Sequence, residues 1–239
     1  MPKFWMIKGL KNGSPTTKFP RQIPTRDEIP LSNIPPEPGQ ESDWGEGKKV
    51  CPTGAIDTKN KKIIMNRCIY CAKCADAGFV FDRNDEKISQ ALNAVANSKI
   101  YSEERAKIFK KSLHVFIIDS GSCNACNLEA LNMANPFYDV SRLGITFTNS
   151  PKHADALLVL GAPNRSMVEY IVTTYESMPE PKVVIAAGAC ALSGGVFANS
   201  PNFVSPVEEI IPVDIFIPGC PPSPIQFIQG LLLAMGRKR

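Results

Sequence analysis

The run His114-Val-Phe-Ile-Ile-Asp119-Ser-Gly-Ser-Cys123-Asn-Ala-Cys126 decides how this chain folds. Four apolar residues, all β-branched or aromatic, lie between a histidine and an aspartate. A short continuous run of this kind reads as a strand buried on both faces. A Ser-Gly-Ser turn then leads directly into a pair of cysteines. Working outward, Ile145–Thr148, Ala156–Leu160, Lys182–Ala187 and Val213–Ile217 read as further strands. Asn127–Met133, Ser166–Ser177 and Pro224–Met235 read as helices between or after them, the last with proline at its start. This alternation predicts an α/β fold over residues 113–239, a flavodoxin-like, doubly wound parallel sheet.

The cysteines of this half fall at one kind of place. Cys123 and Cys126 follow the first strand, Cys190 follows the strand ending at Ala187, and Cys220 follows the strand ending at Ile217. All four therefore lie beyond the carboxyl ends of strands, where open α/β sheets bind their ligands. Four ordinary core cysteines would not share that location.

The other four cysteines form a second pattern. Cys68-Ile-Tyr-Cys71-Ala-Lys-Cys74 puts three thiolates on one tight loop, and Cys51-Pro52 lies 17 residues upstream. Three closely spaced sulfurs can grip three corners of a cubane, and the remote cysteine supplies the fourth. Zinc also accepts four thiolates, but three cysteines at two-residue spacing together with Cys-Pro favour iron–sulfur. Ala55-Ile-Asp57, the polar stretch 58–62 and Ile63-Ile-Met65 read as strand, turn and strand.

Composition agrees with metal. Hydrophobic residues are 44% and charged residues 21%, the balance of a soluble globular protein. The first residues lack the apolar core and cleavage site of a secretion signal, so a reducing compartment is expected. Eight cysteines are then poorly used as disulfides. The longest apolar runs, 156–162 and 183–192, fall short of the roughly 20 residues a membrane span needs. Charge divides near Ser112, with a net of +7 before it and −3 after it, giving +4 overall. Nine of the 21 prolines lie in the first 52 residues. Residues 1–40 therefore read as an extended arm, whose Phe4, Trp5, Ile7, Leu10, Phe19 and Ile23 suit wrapping a partner subunit. Residues 41–84 form the first cysteine unit and 85–112 a helical linker. The arm has no dense basic cluster and no aromatic-basic repeat, so nucleic acid is not an expected partner.

The first unit resembles bacterial-type ferredoxins, whose runs follow C-x2-C-x2-C-x3-C-P, the fourth cysteine serving the other cluster. The positions that would complete the second cluster are Glu41, Trp44, Gly47 and Gly78. The resemblance thus implies a small α+β unit holding a single [4Fe–4S] cluster on Cys51, Cys68, Cys71 and Cys74. The second half resembles the small subunit of membrane-bound, group 4-type [NiFe] hydrogenases such as formate hydrogenlyase, within the complex I 20 kDa-subunit family. The residues that carry this are Gly121-Ser-Cys-Asn-Ala-Cys-Asn-Leu-Glu129, Pro151-Lys-His-Ala-Asp155, Gly188-Ala-Cys190, Ser193-Gly-Gly195 and Val213-Asp-Ile-Phe-Ile-Pro-Gly-Cys-Pro-Pro222. That resemblance implies a second [4Fe–4S] cluster on Cys123, Cys126, Cys190 and Cys220. Complex I proteins carry adjacent cysteines at the first ligand position, whereas hydrogenase-type proteins carry C-x2-C, as here.

No cysteine is left for a nickel–iron centre, and no phosphate-binding glycine loop is present. The resemblances therefore imply an oxidoreductase subunit acting as a wire between a soluble carrier such as ferredoxin and a large catalytic subunit. Other membrane and electron-transfer subunits would hold it at the cytoplasmic face of the membrane. Two alternatives are a complex I-like quinone or sulfur reductase module and a stand-alone iron–sulfur carrier. Glu129 suits a proton relay, an interface contact or a carboxylate at a helix start. Arg165 suits the cluster face or plain surface. His153 and His114 suit structural hydrogen bonds.

Overall fold

A computed structural model describes residues 11, 13–22, 34, 36–81 and 94–237. Its centre is a six-stranded sheet made of β5 (Val95–Ala96), β6 (Leu113–Asp119), β7 (Ile145–Phe147), β8 (Ala156–Leu160), β9 (Val183–Ala187) and β10 (Ile215–Ile217). The spatial order is β5-β10-β9-β8-β6-β7. Strands β6 to β10 are parallel, and their order is the flavodoxin 2-1-3-4-5. The chain reverses its direction of winding between β6 and β8, which opens a crevice at their carboxyl ends.

The strands are apolar on both faces because both faces are covered. On one side Leu158, Ile185 and Ile217 pack with Ala130 of helix α3 (Ala125–Asn132) and with Phe227, Ile228 and Leu231 of helix α6 (Pro224–Ala234). On the other, Leu157, Val159 and Val184 pack with Ile171 of helix α4 (Arg165–Ser177) and with Ala191 and Leu192 of helix α5 (Ala189–Ser193). Each buried aliphatic side chain contributes about 1.5–3 kcal/mol of transfer free energy. Helix α6 begins at a capping box: Ser223 accepts from the Gln226 N–H, and Gln226 accepts from the Ser223 N–H. Helix α4 starts at Asn164, whose side chain accepts from the Ser166 and Met167 N–H groups.

The first cysteine unit is small. Helix α1 (Trp44–Val50) is capped by Asp43, which accepts from the Gly45 and Glu46 N–H groups. Strands β2 (Ile56–Asp57) and β3 (Lys62–Ile63) form an antiparallel pair. The Asp57 carboxylate shapes their turn by accepting from the Lys59 and Asn60 N–H groups. Strands β1 (Glu37–Pro38) and β4 (Phe79–Val80) form another. The unit's apolar cluster is small, made of Ile56, Ala77 and Phe79, with Trp44 edge-on to Phe79 at 5.2 Å.

Two readings of the sequence need correction. The segment 85–112 is not a helical linker throughout. Among its described residues, Val95–Ala96 adds an antiparallel strand to the edge of β10, and only helix α2 (Glu103–Ile108) is helical. The open edge of β10 offers unpaired backbone groups that this segment satisfies. Asn97 continues the join, its N–H donating to Asp214 O and its side chain to Val213 O. The arm, at the part described, packs against this same chain. Phe19 is 1% exposed and sits in the core beside β6 and β7. The Thr17 N–H donates to Phe137 O, and Arg142 donates to the carbonyls of Thr17 and Phe19. Phe4, Trp5, Ile7, Leu10 and Ile23 lie outside the described residues.

Candidate redox centres

The loop leaving β6 is organised by Asp119. Its carboxylate accepts from the Gly121 N–H, the Ser122 hydroxyl and the Asn127 amide. Ser122 accepts from the Asn124 N–H in turn. This network fixes the start of α3, with Cys123 exposed and Cys126 buried. Cys190 is buried in α5, and Cys220 is half-buried between β10 and α6. The four come from three separate loops and gather at the crevice. Burial first, then the Cys190, Cys220 and Cys123 sulfurs, pushes the Cys126 thiol up to about 12. Burial first, then Cys220 and Cys123, pushes Cys190 up to about 12. Four thiolates this close repel one another, and a bound cationic centre would offset that repulsion.

The backbone leaves room for the sulfurs. Gly188 has φ +88°, and a Cβ there would lie 2.8 Å from Cys126 Sγ. A Cβ on Gly195 would lie 3.1 Å from Cys190 Sγ. The Val196 N–H donates to the Cys190 sulfur.

The first set is equally complete. Cys51, Cys68, Cys71 and Cys74 line one pocket together with Thr53, Ala55, Ile63 and Tyr70. The Ala55 N–H donates to Cys51 Sγ at 3.2 Å, and the Tyr70 N–H donates to the Cys68 sulfur. Burial, followed by the three other cysteines, pushes Cys68 up to about 12. Tyr70 and Ala72 take positive φ, 55° and 60°, which winds the loop so that its cysteines line one pocket. Among the described residues, no three His, Cys, Asp or Glu side chains converge on a single metal-ion position. The first quartet lines the walls of a pocket, an arrangement that suits a multi-iron cluster. An all-thiolate donor set with backbone N–H groups aimed at sulfur fits the same group.

The remaining sequence candidates stand apart. Glu129 is half-buried on α3, one turn beyond Cys126, and burial raises its carboxyl above the usual range. Arg165 is exposed at the first turn of α4, and His153 is exposed at the end of a short 3-10 turn. His114 is tied to Asp155, ring nitrogen to carboxylate at 2.9 Å. Sequence reasoning missed Asp119, Asn127 and Tyr70. The aspartate closing the β6 run, with an amide eight residues on, was the available signal for the first two.

A sequence profile described as NADH ubiquinone oxidoreductase, 20 Kd subunit matches residues 123–234. The probable membrane-bound hydrogenase subunit mbhJ of Pyrococcus furiosus is 45% identical over 129 residues, 54% of this chain and 77% of that protein. The chain belongs to the 20 kDa-subunit family. Formate hydrogenlyase subunit 7 of Escherichia coli is 40% identical over 130 residues, covering 54% of this chain and 51% of that one. A NADH-quinone oxidoreductase subunit of Citrifermentans bemidjiense is 45% identical over 107 residues, 45% of this chain and 62% of that one. These 20 kDa-family relatives are subunits of oxidoreductase complexes, as the sequence resemblance implied, and the first is named for a membrane-bound one. Among the described residues of this member, no helix is long and apolar enough to cross a membrane.

Proposed function

We propose that this chain is an electron-transfer subunit carrying two [4Fe–4S] clusters, one on Cys51, Cys68, Cys71 and Cys74 and one on Cys123, Cys126, Cys190 and Cys220. It passes electrons between a soluble carrier such as ferredoxin and the catalytic large subunit of a membrane-associated [NiFe]-hydrogenase complex. The observation that carries this reading is the division of all eight cysteines into two complete quartets with none spare. Bound clusters would supply one-electron chemistry. The chain's own residues hold the sulfurs in place, exclude water from Cys68, Cys126 and Cys190, and direct backbone N–H groups at sulfur. Other subunits keep the chain at the cytoplasmic face of the membrane. Glu129 serves as a proton relay or an interface carboxylate.

The C-x2-C spacing of Cys123 and Cys126 favours the hydrogenase reading. The identity to a NADH-quinone oxidoreductase subunit favours a second one, the same wire in a quinone reductase. Anaerobic isolation of the native complex separates them. The hydrogenase reading expects a large subunit with two C-x2-C pairs, nickel in the complex, and bleaching of the clusters under hydrogen. A complex without nickel, whose clusters ignore hydrogen, would overturn it.

A further inference from the structure

All four cysteines of the first quartet lie within residues 51–75, a stretch that also holds Lys59, Lys61, Lys62, Arg67 and Lys73 and a single acid, Asp57. The five cations are all exposed. Asp57 is half-buried and turned into its own hairpin, where it accepts from the Lys59 and Asn60 N–H groups and from the Asn60 amide. Among the described residues, no carboxylate lies within ion-pair distance of any of the five. Lys73 lines the same pocket as the cysteines. The Arg67 carbonyl accepts from Thr53, another residue of that pocket. Lys61 and Lys62 lead into Ile63 of the pocket wall. Cys71, between Arg67 and Lys73 in sequence, is exposed. One corner of the quartet thus reaches the surface within a rim of positive charge.

The second quartet also has an exposed ligand, Cys123, but its surroundings carry the opposite charge. Residues 113–141 contain Asp119, Glu129 and Asp139 and no lysine or arginine. Residues 186–196 and 216–224, which carry Cys190 and Cys220, contain no charged side chain.

We propose that the basic rim around Cys71 is the docking surface for an acidic protein that carries electrons. This rests on the two-cluster reading and assigns the carrier to one end of the chain. A negatively charged carrier is drawn to the first quartet and repelled at the second, so charge selects the cluster it meets. Each encounter moves one electron, leaving the carrier oxidised by one unit and the first cluster reduced by one, or the reverse. An anionic membrane surface fits the rim less well. Peripheral membrane binding joins basic charge to exposed apolar side chains, and no large hydrophobic side chain of residues 51–75 is exposed.

Stopped-flow reduction of the holoprotein by a reduced acidic ferredoxin tests this, with the methyl viologen radical as a cationic control. The ferredoxin rate should fall at least roughly tenfold between about 0.01 and about 1 M salt, as screening removes the attraction, and the viologen rate should not fall. Lys61→Glu combined with Lys62→Glu should slow the ferredoxin reaction roughly tenfold at low salt. The first cluster's paramagnetic signal should persist in that variant, which separates the effect from misfolding. The first unit meets the sheet at its carboxyl end, where the Ser193 hydroxyl joins the Asn66 carbonyl at 2.9 Å. Lys110 and Lys111 lie at the opposite end, before β6, and are exposed. The same double reversal there should leave the rate near that of the parent. Equal slowing by both pairs would overturn the proposal, because total charge would then account for it. Eight irons per chain with a rate indifferent to salt and to the rim variant would also overturn it and leave the two-cluster reading standing. Four or fewer irons would overturn both. Binding to phosphatidylglycerol vesicles that the rim variant loses, with the ferredoxin rate unchanged, would give the rim to a membrane instead.

Discussion

The two cysteine-bearing regions solve the same problem with opposite means. The sheet region buries two large apolar layers, and its cysteines lie at the rim of that core, with Cys126 packed into one layer among two dozen other buried residues. The apolar cluster of the first unit has three buried members, Ile56, Ala77 and Phe79, and two of its cysteines, Cys51 and Cys74, pack against that centre. A core that small does not offset the conformational entropy of some 45 residues. On the two-cluster proposal, one region would hold a cofactor, and the other would be held together by one.

Chelation should break this comparison open most widely. Stripping iron under reducing conditions should unfold residues 36–81 and leave the sheet protected, read by amide hydrogen exchange. Equal loss of protection in both regions would refute the contrast. Next in size, Cys68→Ala should abolish the first cluster's signal while the second persists. Loss of both together would mean that the regions are not independent in folding. Smaller again, Leu158→Ala at the centre of β8, where Leu158 is fully buried, should cost about 2–5 kcal/mol by denaturant unfolding. It should leave the first cluster's signal unchanged.

The smallest effect concerns Glu129. Burial raises its folded pKa above the usual carboxylate value, so the folded state favours the protonated form. Its contribution to stability is greatest below the unfolded pKa and is lost as pH rises through the folded one. Glu129→Gln should therefore stabilise slightly at neutral pH, with the advantage disappearing in acid. A variant less stable than the parent at pH 7 would show that the carboxylate makes a favourable contact.

What could be read from the sequence follows the same division. Strand β8 declares itself because both faces are buried, and β6 because both are at least half-covered along 115–118, so each apolar run is continuous and its ends are sharp. The rim positions of Cys123, Cys126, Cys190 and Cys220 follow from those strands. Local pattern said nothing of contacts made across the chain. Val95–Ala96 is two residues long and becomes a strand only because β10 has a free edge. Phe19 enters the core at the end of a proline-rich stretch with no periodicity to announce it. The five-residue helix α5 is too short to show a 3.6 period. The Asn66–Ser193 join spans 127 residues, and no spacing rule would pair its ends.

The central claim is that this chain holds two complete clusters. Iron and acid-labile sulfide, measured against protein in anaerobically purified material, test it most directly. The account predicts about eight irons and eight sulfides per chain. Four or fewer irons, with stoichiometric zinc in their place, would contradict it.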